Sequence, residues 1–178
     1  MIDAIRIAPL HPDHRPQVEG IVRATGVFSE EEVGVALEVF DAGVAADAGY
    51  EFTGAFQADG LVGYACFGAT PATDRTFDLY WIAVHPDAQG AGAGSALMTD
   101  VERRLKARRA RMLVIETSSR DDYARTRRFY QKRGYQESAR LRDFYAPGDD
   151  RVVLTRRMNA APSPAPPGTL PSPAPHYE

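Results

Sequence analysis

The stretch Gln89-Gly90-Ala91-Gly92-Ala93-Gly94-Ser95 carries the densest chemical signal in the 178-residue chain. Its three alternating glycines follow the apolar run Thr76–Val84 and precede Leu97, Val101 and Leu105 at helical spacing. Glycine lets a ligand approach the backbone closely. The free N–H groups of a helix's first turn, aided by the helix dipole, suit an anion such as a pyrophosphate. Three glycines so close together cost helix stability, so a mere corner accounts for them poorly. A P-loop fails because Gly94-Ser95-Ala96 lacks the lysine. A dinucleotide site has Glu116 in its favour, 22 residues past Gly94. Against it, Ser95 stands where the third glycine belongs, five residues separate Val84 from Gly90, and three strands and two helices come first. NAD binding is therefore kept as a minor alternative.

Elements that position this loop are legible from hydrophobic periodicity. Ala4–Pro9 alternates as a strand, and His11–Thr25 is helical through Val18, Ile21 and Val22. Ser29 and Glu32 form a capping box that opens a helix with Val33, Leu37 and Phe40. Tyr50–Gln57 and Leu61–Ala69 are strands separated by a hairpin signal, Ala58-Asp59-Gly60. Thr76–Val84 is nearly continuous in apolar character, which predicts burial on both faces mid-sheet. Met112–Thr117 is a second buried strand, and Asp121–Arg133 is a helix ended by Gly134. Glu137–Tyr145 and Arg151–Met158 close the fold as a strand pair joined by Ala-Pro-Gly-Asp-Asp. This order predicts an α/β (α+β) fold, a mixed sheet with helices on its faces rather than a repeating βαβ array.

Composition narrows the class. Hydrophobic residues make up 44% and charged residues 25%, ordinary for a soluble globular fold. The net charge of -3 argues against a dedicated nucleic-acid binder. The single cysteine, Cys66, excludes an internal disulfide and a Cys-rich zinc site, and reads as a core residue. No apolar run reaches membrane-span length and Met1–Arg15 lacks a signal peptide's apolar core, so a cytoplasmic protein without membrane contact is expected. Asn159–Glu178 holds seven of the thirteen prolines and no lysine or arginine. It reads as a Pro-rich disordered tail after a folded unit of residues 1–158.

Gln89-x-x-Gly92-x-Gly94, preceded by Ile82-Ala83-Val84-His85-Pro86, resembles the Gln/Arg-x-x-Gly-x-Gly/Ala cofactor loop of the GNAT N-acetyltransferase superfamily. Phe129-Tyr130-Gln131-Lys132-Arg133-Gly134-Tyr135 resembles the family's Leu/Phe-Tyr-x-x-x-Gly-Phe/Tyr block, and the element order is similar across residues 1 to about 158. The resemblance implies a GNAT-type, mostly antiparallel six- to seven-stranded sheet with helices on both faces and splayed central strands. It implies acetyl-CoA as co-substrate and no metal, held by Ile82, Ala83, Val84, Gln89, Gly90, Ala91, Gly92, Ala93, Gly94 and Ser95. The Val84 N–H would stabilise the oxyanion.

Direct transfer then needs a base and an acid. Glu116 is the expected base, because burial at the end of an apolar strand would raise its basicity; its position resembles the glutamate of bacterial ribosomal-protein N-terminal alanine acetyltransferases. Partnering an arginine is its alternative role, and Asp78 and Tyr80 are the next candidates. Tyr130 is the expected acid, with Phe129 assigned to core packing. Where the family often carries a cofactor-contacting asparagine, this chain has Tyr123, which leaves Ser118, Ser119 and Arg125 as substitutes. The basic run Arg103, Arg104, Lys106, Arg108, Arg109, Arg111 reads as a solvated helix face.

The family builds its acceptor site from the segments equivalent to Thr25–Phe40 and Arg142–Asp150. The first holds Glu30, Glu31, Glu32 and Glu38, close to Asp41, and would attract a cationic amine, although acids in a first turn are also ordinary capping. Arg142-Asp143-Phe144-Tyr145-Ala146-Pro147 loosely resembles a strand of the same N-terminal acetyltransferases. An amine acceptor follows, either a peptide or protein N-terminus or a small molecule, on a monomer or homodimer. A catalytically silent acyl-CoA sensor is the rival from another class.

Overall fold

The computed structural model describes residues 4–45, 49–58 and 60–158. The proline-rich tail and Asp59 of the predicted hairpin lie outside the described residues. Among them, seven strands form one sheet: β1 (Arg6–Ala8), β2 (Tyr50–Gln57), β3 (Gly60–Ala69), β4 (Thr76–Val84), β5 (Met112–Ser118), β6 (Gln136–Ala146) and β7 (Asp149–Arg157). Their order is β1-β2-β3-β4-β5-β7-β6, and only the β4–β5 pair is parallel. Four α-helices accompany them: α1 (Arg15–Ala24), α2 (Glu30–Val44), α3 (Ala93–Ala107) and α4 (Ala124–Lys132). Short 3-10 turns at Pro12–His14 and Asp121–Tyr123 lead into α1 and α4. No helix among the described residues is long and apolar enough to cross a membrane.

The pleat assigns each helix pair to its own face. On β3, Ala65 and Phe67 pack with Leu97, Met98, Val101 and Leu105 of α3, whereas Tyr64 packs with Val18, Val33 and Phe40 of α1 and α2. The expected capping box starts α2: the Glu32 N–H donates to Ser29 Oγ (3.3 Å) and the Ser29 N–H donates to Glu32 Oε2 (2.8 Å). This end lies beside the sheet's opening, so the cap fixes where Glu32 stands.

β4 departs from the expectation of two buried faces. Cys66 pairs with Trp81 but Phe67 pairs with Leu79, so Tyr80 is an extra residue, a β-bulge. The bulge inverts the pleat. Before it, Phe77 and Leu79 join the α3 core; after it, Ile82 and Val84 do, while Trp81 and Ala83 turn to α1 and α2. Pairing with β5 also stops there, running only from Thr76↔Met112 to Leu79↔Ile115. Tyr80 consequently borders open space and is 40% exposed.

The last hairpin is also longer than its sequence suggests. Asp149 and Asp150 belong to β7, and the turn is Pro147-Gly148. Acid side chains satisfy the backbone within the ladder: the Gly148 N–H donates to Asp143 Oδ1 (2.7 Å) and the Asp143 N–H to Asp150 Oδ1 (3.0 Å).

Glu102 on α3 joins the α3–α4 layer to the sheet. It is 7% exposed, accepts from Arg133 (3.1 Å) and the Tyr135 hydroxyl (3.1 Å), and is ion-paired with Arg156 of β7 (3.0 Å). Removing one member of a buried charge network strands the others, at about 3 kcal/mol. Glu102→Ala should therefore lower unfolding free energy by about that amount in denaturant titration, against about 1 kcal/mol for an exposed ion-pair residue such as Glu137.

Candidate active site

The glycine loop stands at the end of β4. Gly90 (φ 86°) and Gly92 (φ 93°) take left-handed conformations that disfavour side chains, and a Cβ on either would meet nothing within 4 Å. The loop is thus shaped by backbone torsion and open to approach from outside. Gly92 caps α3, and the Ala96 N–H is the donor that closes onto Gly92 O (2.9 Å), leaving the amides of Ala93, Gly94 and Ser95 ahead of it for an anion. Gly94 instead rests on Phe129 and Val84, where an added Cβ would find ordinary contacts at 3.7 and 3.8 Å. Gln89 ties loop to strand, its Nε2 donating to Val84 O (3.3 Å). Arg125 donates to Gln89 Oε1 (3.4 Å), which brings it to the loop that the sequence left open to Ser118, Ser119 or Arg125.

Backbone donors also face the gap. The His85 N–H donates to Val62 O (2.8 Å) in the register that pairs Gly63 with Val84 and Tyr64 with Ala83. Antiparallel alternation then turns the N–H groups of Ile82 and Val84 away from β3, toward the edge from which β5 has diverged.

A cleft of about 290 Å³ opens at this divergence. Tyr80, Trp81 and Ile82 of β4, Glu116, Thr117 and Ser118 of β5, and Tyr130 of α4 line it. Both residues expected to handle protons therefore share one cavity. Their environments differ from expectation. Glu116 is exposed, not buried, and it is ion-paired with Arg151 of β7, because beyond Ile115 β5 has lost its β4 neighbour and keeps only β7. Tyr130 is 2% exposed, deeper than Phe129, and its ring packs edge-on against both Phe129 and Tyr135. Burial raises its pKa above the ordinary phenol value, so it stays protonated through the neutral range. Asp78 is tied to Thr70, whose hydroxyl donates to it (2.6 Å), and lines a smaller adjoining cavity with Tyr80 and Glu116.

Of the residues at the far end of the cleft, nothing in the sequence singles out Trp81, whereas the others lie in or beside segments already expected to matter. Phe28 and Trp81 stack at 4.9 Å on the α1–α2 side, and Tyr123, Tyr145 and Asp149 complete that end. Phe28 and Glu32 lie in Thr25–Phe40, and Tyr145 and Asp149 in Arg142–Asp150, where a turn reading hides the place of Asp149 in β7. Other acids in or beside Thr25–Phe40 are spent elsewhere, Glu30 on Arg23 (2.6 Å) and Asp41 on Arg15 (2.9 Å). The basic run is likewise engaged: Arg104 with Glu51 (2.8 Å), Arg103 with Asp100 (2.6 Å), and Arg108 also with Glu51.

The mixed sheet thus parts at its one parallel pair, with a helix start whose free amides suit an anion at the mouth of the gap. Residues 48–137 match the family described as Acetyltransferase (GNAT) domain. A crystal structure of a GNAT-family protein from Desulfovibrio desulfuricans, named as an acetyltransferase, is 40% identical. It superposes with a TM-score of 0.82 over 87% of this chain and 99% of that one. The chain belongs to the GNAT acetyltransferase family. The fold is shared with the ribosomal-protein-S18-alanine N-acetyltransferase of Escherichia coli (20% identity, TM-score 0.74, 89% and 96% covered). It is shared too with a Salmonella typhimurium protein solved with its cofactor acetyl-CoA (18% identity, TM-score 0.72, 91% and 98% covered). No curated protein matches the chain. The antiparallel frame is not the doubly wound parallel sheet of the dinucleotide fold.

The loop geometry separates its glycines. Gly92→Ala should cost about 1 kcal/mol of unfolding free energy, since the methyl has space but the torsion does not suit it. Gly94→Ala, without that torsion, should leave stability unchanged or slightly raised. Denaturant titration of both variants checks the order.

Proposed function

We propose that this chain transfers an acetyl group from acetyl-CoA to an amine by direct attack, with Tyr130 as the acid and Glu116 as the base. The observation that carries the proposal is the gap itself: one opening joins the glycine loop, the N–H groups of Ile82 and Val84, and the side chains of Tyr130 and Glu116. Acetyl-CoA fits the open positions at Gly90 and Gly92, and supplies the activated thioester. Amides from Gln89 to Ser95, with Gly90, Ala91, Gly92, Ala93 and Gly94 between them, would hold its pyrophosphate, and Ile82, Ala83 and Val84 would line its path. The Val84 N–H would donate to the carbonyl oxygen as negative charge develops there.

The acceptor nitrogen arrives protonated at neutral pH and must lose a proton before it attacks. Glu116 can take it once the cationic acceptor displaces Arg151, whose guanidinium already lies 4.9 Å from the Phe144 ring centre and can rest there. As the C–S bond breaks, Tyr130 donates to the leaving sulfur. Burial keeps this phenol loaded and also makes it a weaker acid, so its hydrogen bond to the sulfur matters as much as the proton it releases. The acceptor is a peptide or protein α-amine or a small cationic amine.

Acetyl-CoA and CoA should each raise unfolding stability by about 2.7 kcal/mol at a hundred times their dissociation constants, and NAD should not. Tyr130→Phe should lower kcat by about 100-fold or more while keeping acetyl-CoA binding. A silent acyl-CoA sensor would instead bind and show no turnover to lose. Because burial raises the Tyr130 pKa, the acid form persists as pH rises, and kcat should show no loss from this group across the mildly alkaline range. A falling limb there that Tyr130→Phe removes would contradict the raised pKa while leaving Tyr130 as the acid.

A further inference from the structure

Three carboxylates and one guanidinium line the cleft, and two of the carboxylates have no cationic partner among the described residues. Glu116 is paired with Arg151, and Arg120 with Asp122 (3.0 Å). Glu32 accepts only the Ser29 N–H of its own capping box, and Asp149 accepts the Ser118 hydroxyl (2.5 Å). No ion pair involves either Glu32 or Asp149, and the residues outside the described set contain no lysine or arginine. Asp149 is 7% exposed. Arg120, held by Asp122, acts on Asp149 only at longer range, and a carboxylate buried to that degree without a cation in contact is costly.

The surroundings point to what the cation is. Phe28, Trp81, Tyr123 and Tyr145 wall this end of the cleft with aromatic faces, which attract organic ammonium groups. Both carboxylates act on the same two phenols: after burial, Glu32 and Asp149 are among the groups that raise the pKa of Tyr123 and Tyr145. Thr117, 6% exposed, also lines the cleft, and its hydroxyl has no hydrogen-bond partner among the described residues. Ser118, which holds Asp149, is itself fixed, because Arg127 donates to its carbonyl oxygen (2.6 Å) and its Oγ accepts the Arg120 N–H (3.0 Å).

Charge then separates this cation from the reacting amine. The nitrogen that attacks must first give up its proton to Glu116, whereas a counter-ion for Glu32 and Asp149 has to stay charged. Resting on the acetyl-transfer reading above, we propose that Glu32 and Asp149 bind a second, non-reacting ammonium group of the acceptor, so that the preferred substrates are diamines, or chains with two cationic nitrogens, over monoamines.

Diaminobutane and butylamine, matched in chain length, test this with the full chain, acetyl-CoA and CoA release as the readout. The diamine should be preferred in kcat/KM. Glu32→Gln, which keeps the capping box, and Asp149→Asn, which keeps the Ser118 contact, should each reduce that preference by about tenfold, the loss expected for one charge-assisted hydrogen bond. The change should fall mainly in KM. No preference in the wild type, or one that survives both substitutions, overturns the subsite. Calorimetry with diaminobutane reads the subsite without turnover: binding that Asp149→Asn abolishes supports it, and binding no tighter than butylamine's overturns it. Diamine binding without CoA release would count against acetyl transfer alone.

Discussion

Everything distinctive in this structure follows from the parting of β4 and β5 after Leu79 and Ile115. Sheet strands normally satisfy each other's backbone groups, and a buried N–H left without a partner costs about 1–3 kcal/mol. Here a strand in the middle of the sheet keeps its β3 partner and gives up the other over its second half, so one row of N–H groups faces a cleft. An edge of this kind suits an extended ligand that carries amide groups of its own. The Tyr80 bulge makes the parting compatible with a core: by inverting the pleat it keeps Phe77 and Leu79 before the break and Ile82 and Val84 after it on the α3 face, and turns Trp81 and Ala83 to α1 and α2.

Holding the gap open requires rigid layers above and below it. Gly63 lets β3 lie close to β4 beyond the bulge, since a Cβ there would stand 2.9 Å from Ala83 O and 3.1 Å from Val84 Cγ2. On the α3–α4 face, Phe129 and Val84 seat Gly94, and the Glu102 cluster joins α3 to Arg133 and to Arg156 of β7. The helix start is thereby fixed relative to strands on both sides of the opening. On the opposite face, α2 is anchored at its first turn by the Ser29–Glu32 box. That contact places Glu32 at the cleft wall as a consequence of folding the helix.

The elements were legible because their signals are local: alternation in β1, the capping box of α2, helical spacing in α3, and three glycines after an apolar strand. The glycine loop was legible for the same reason, since missing side chains and a helix start are written in the residue types themselves. Glu116 shows where local reading stops. Apolar neighbours in Met112–Thr117 suggested burial, but exposure depends on which strand lies alongside, and β5 loses β4 one residue earlier. The Tyr80 bulge leaves no mark in composition, because it is a register shift between two strands. Asp149 looked like a turn residue, since Pro147-Gly148 beside it is a turn; only the ladder with β6 draws it into β7 and against Ser118.

The cleft also sorts charge from end to end, and the net charge of -3 gives no hint of it. At the glycine loop the field comes from backbone N–H groups and the start of α3, which favour anions. At the α1–α2 end it comes from Glu32 and Asp149, whose charges no arginine or lysine cancels within ion-pair distance. Screening in physiological salt reduces exposed charges over about 8 Å, but acts far less on groups as buried as Asp149. Two substrates of opposite charge would therefore be drawn to opposite ends of one opening, and each would be disfavoured at the other's. On the proposed reading, the end that attracts a polyanion would repel a cationic acceptor, so the two substrates would be kept to their own ends without a moving part.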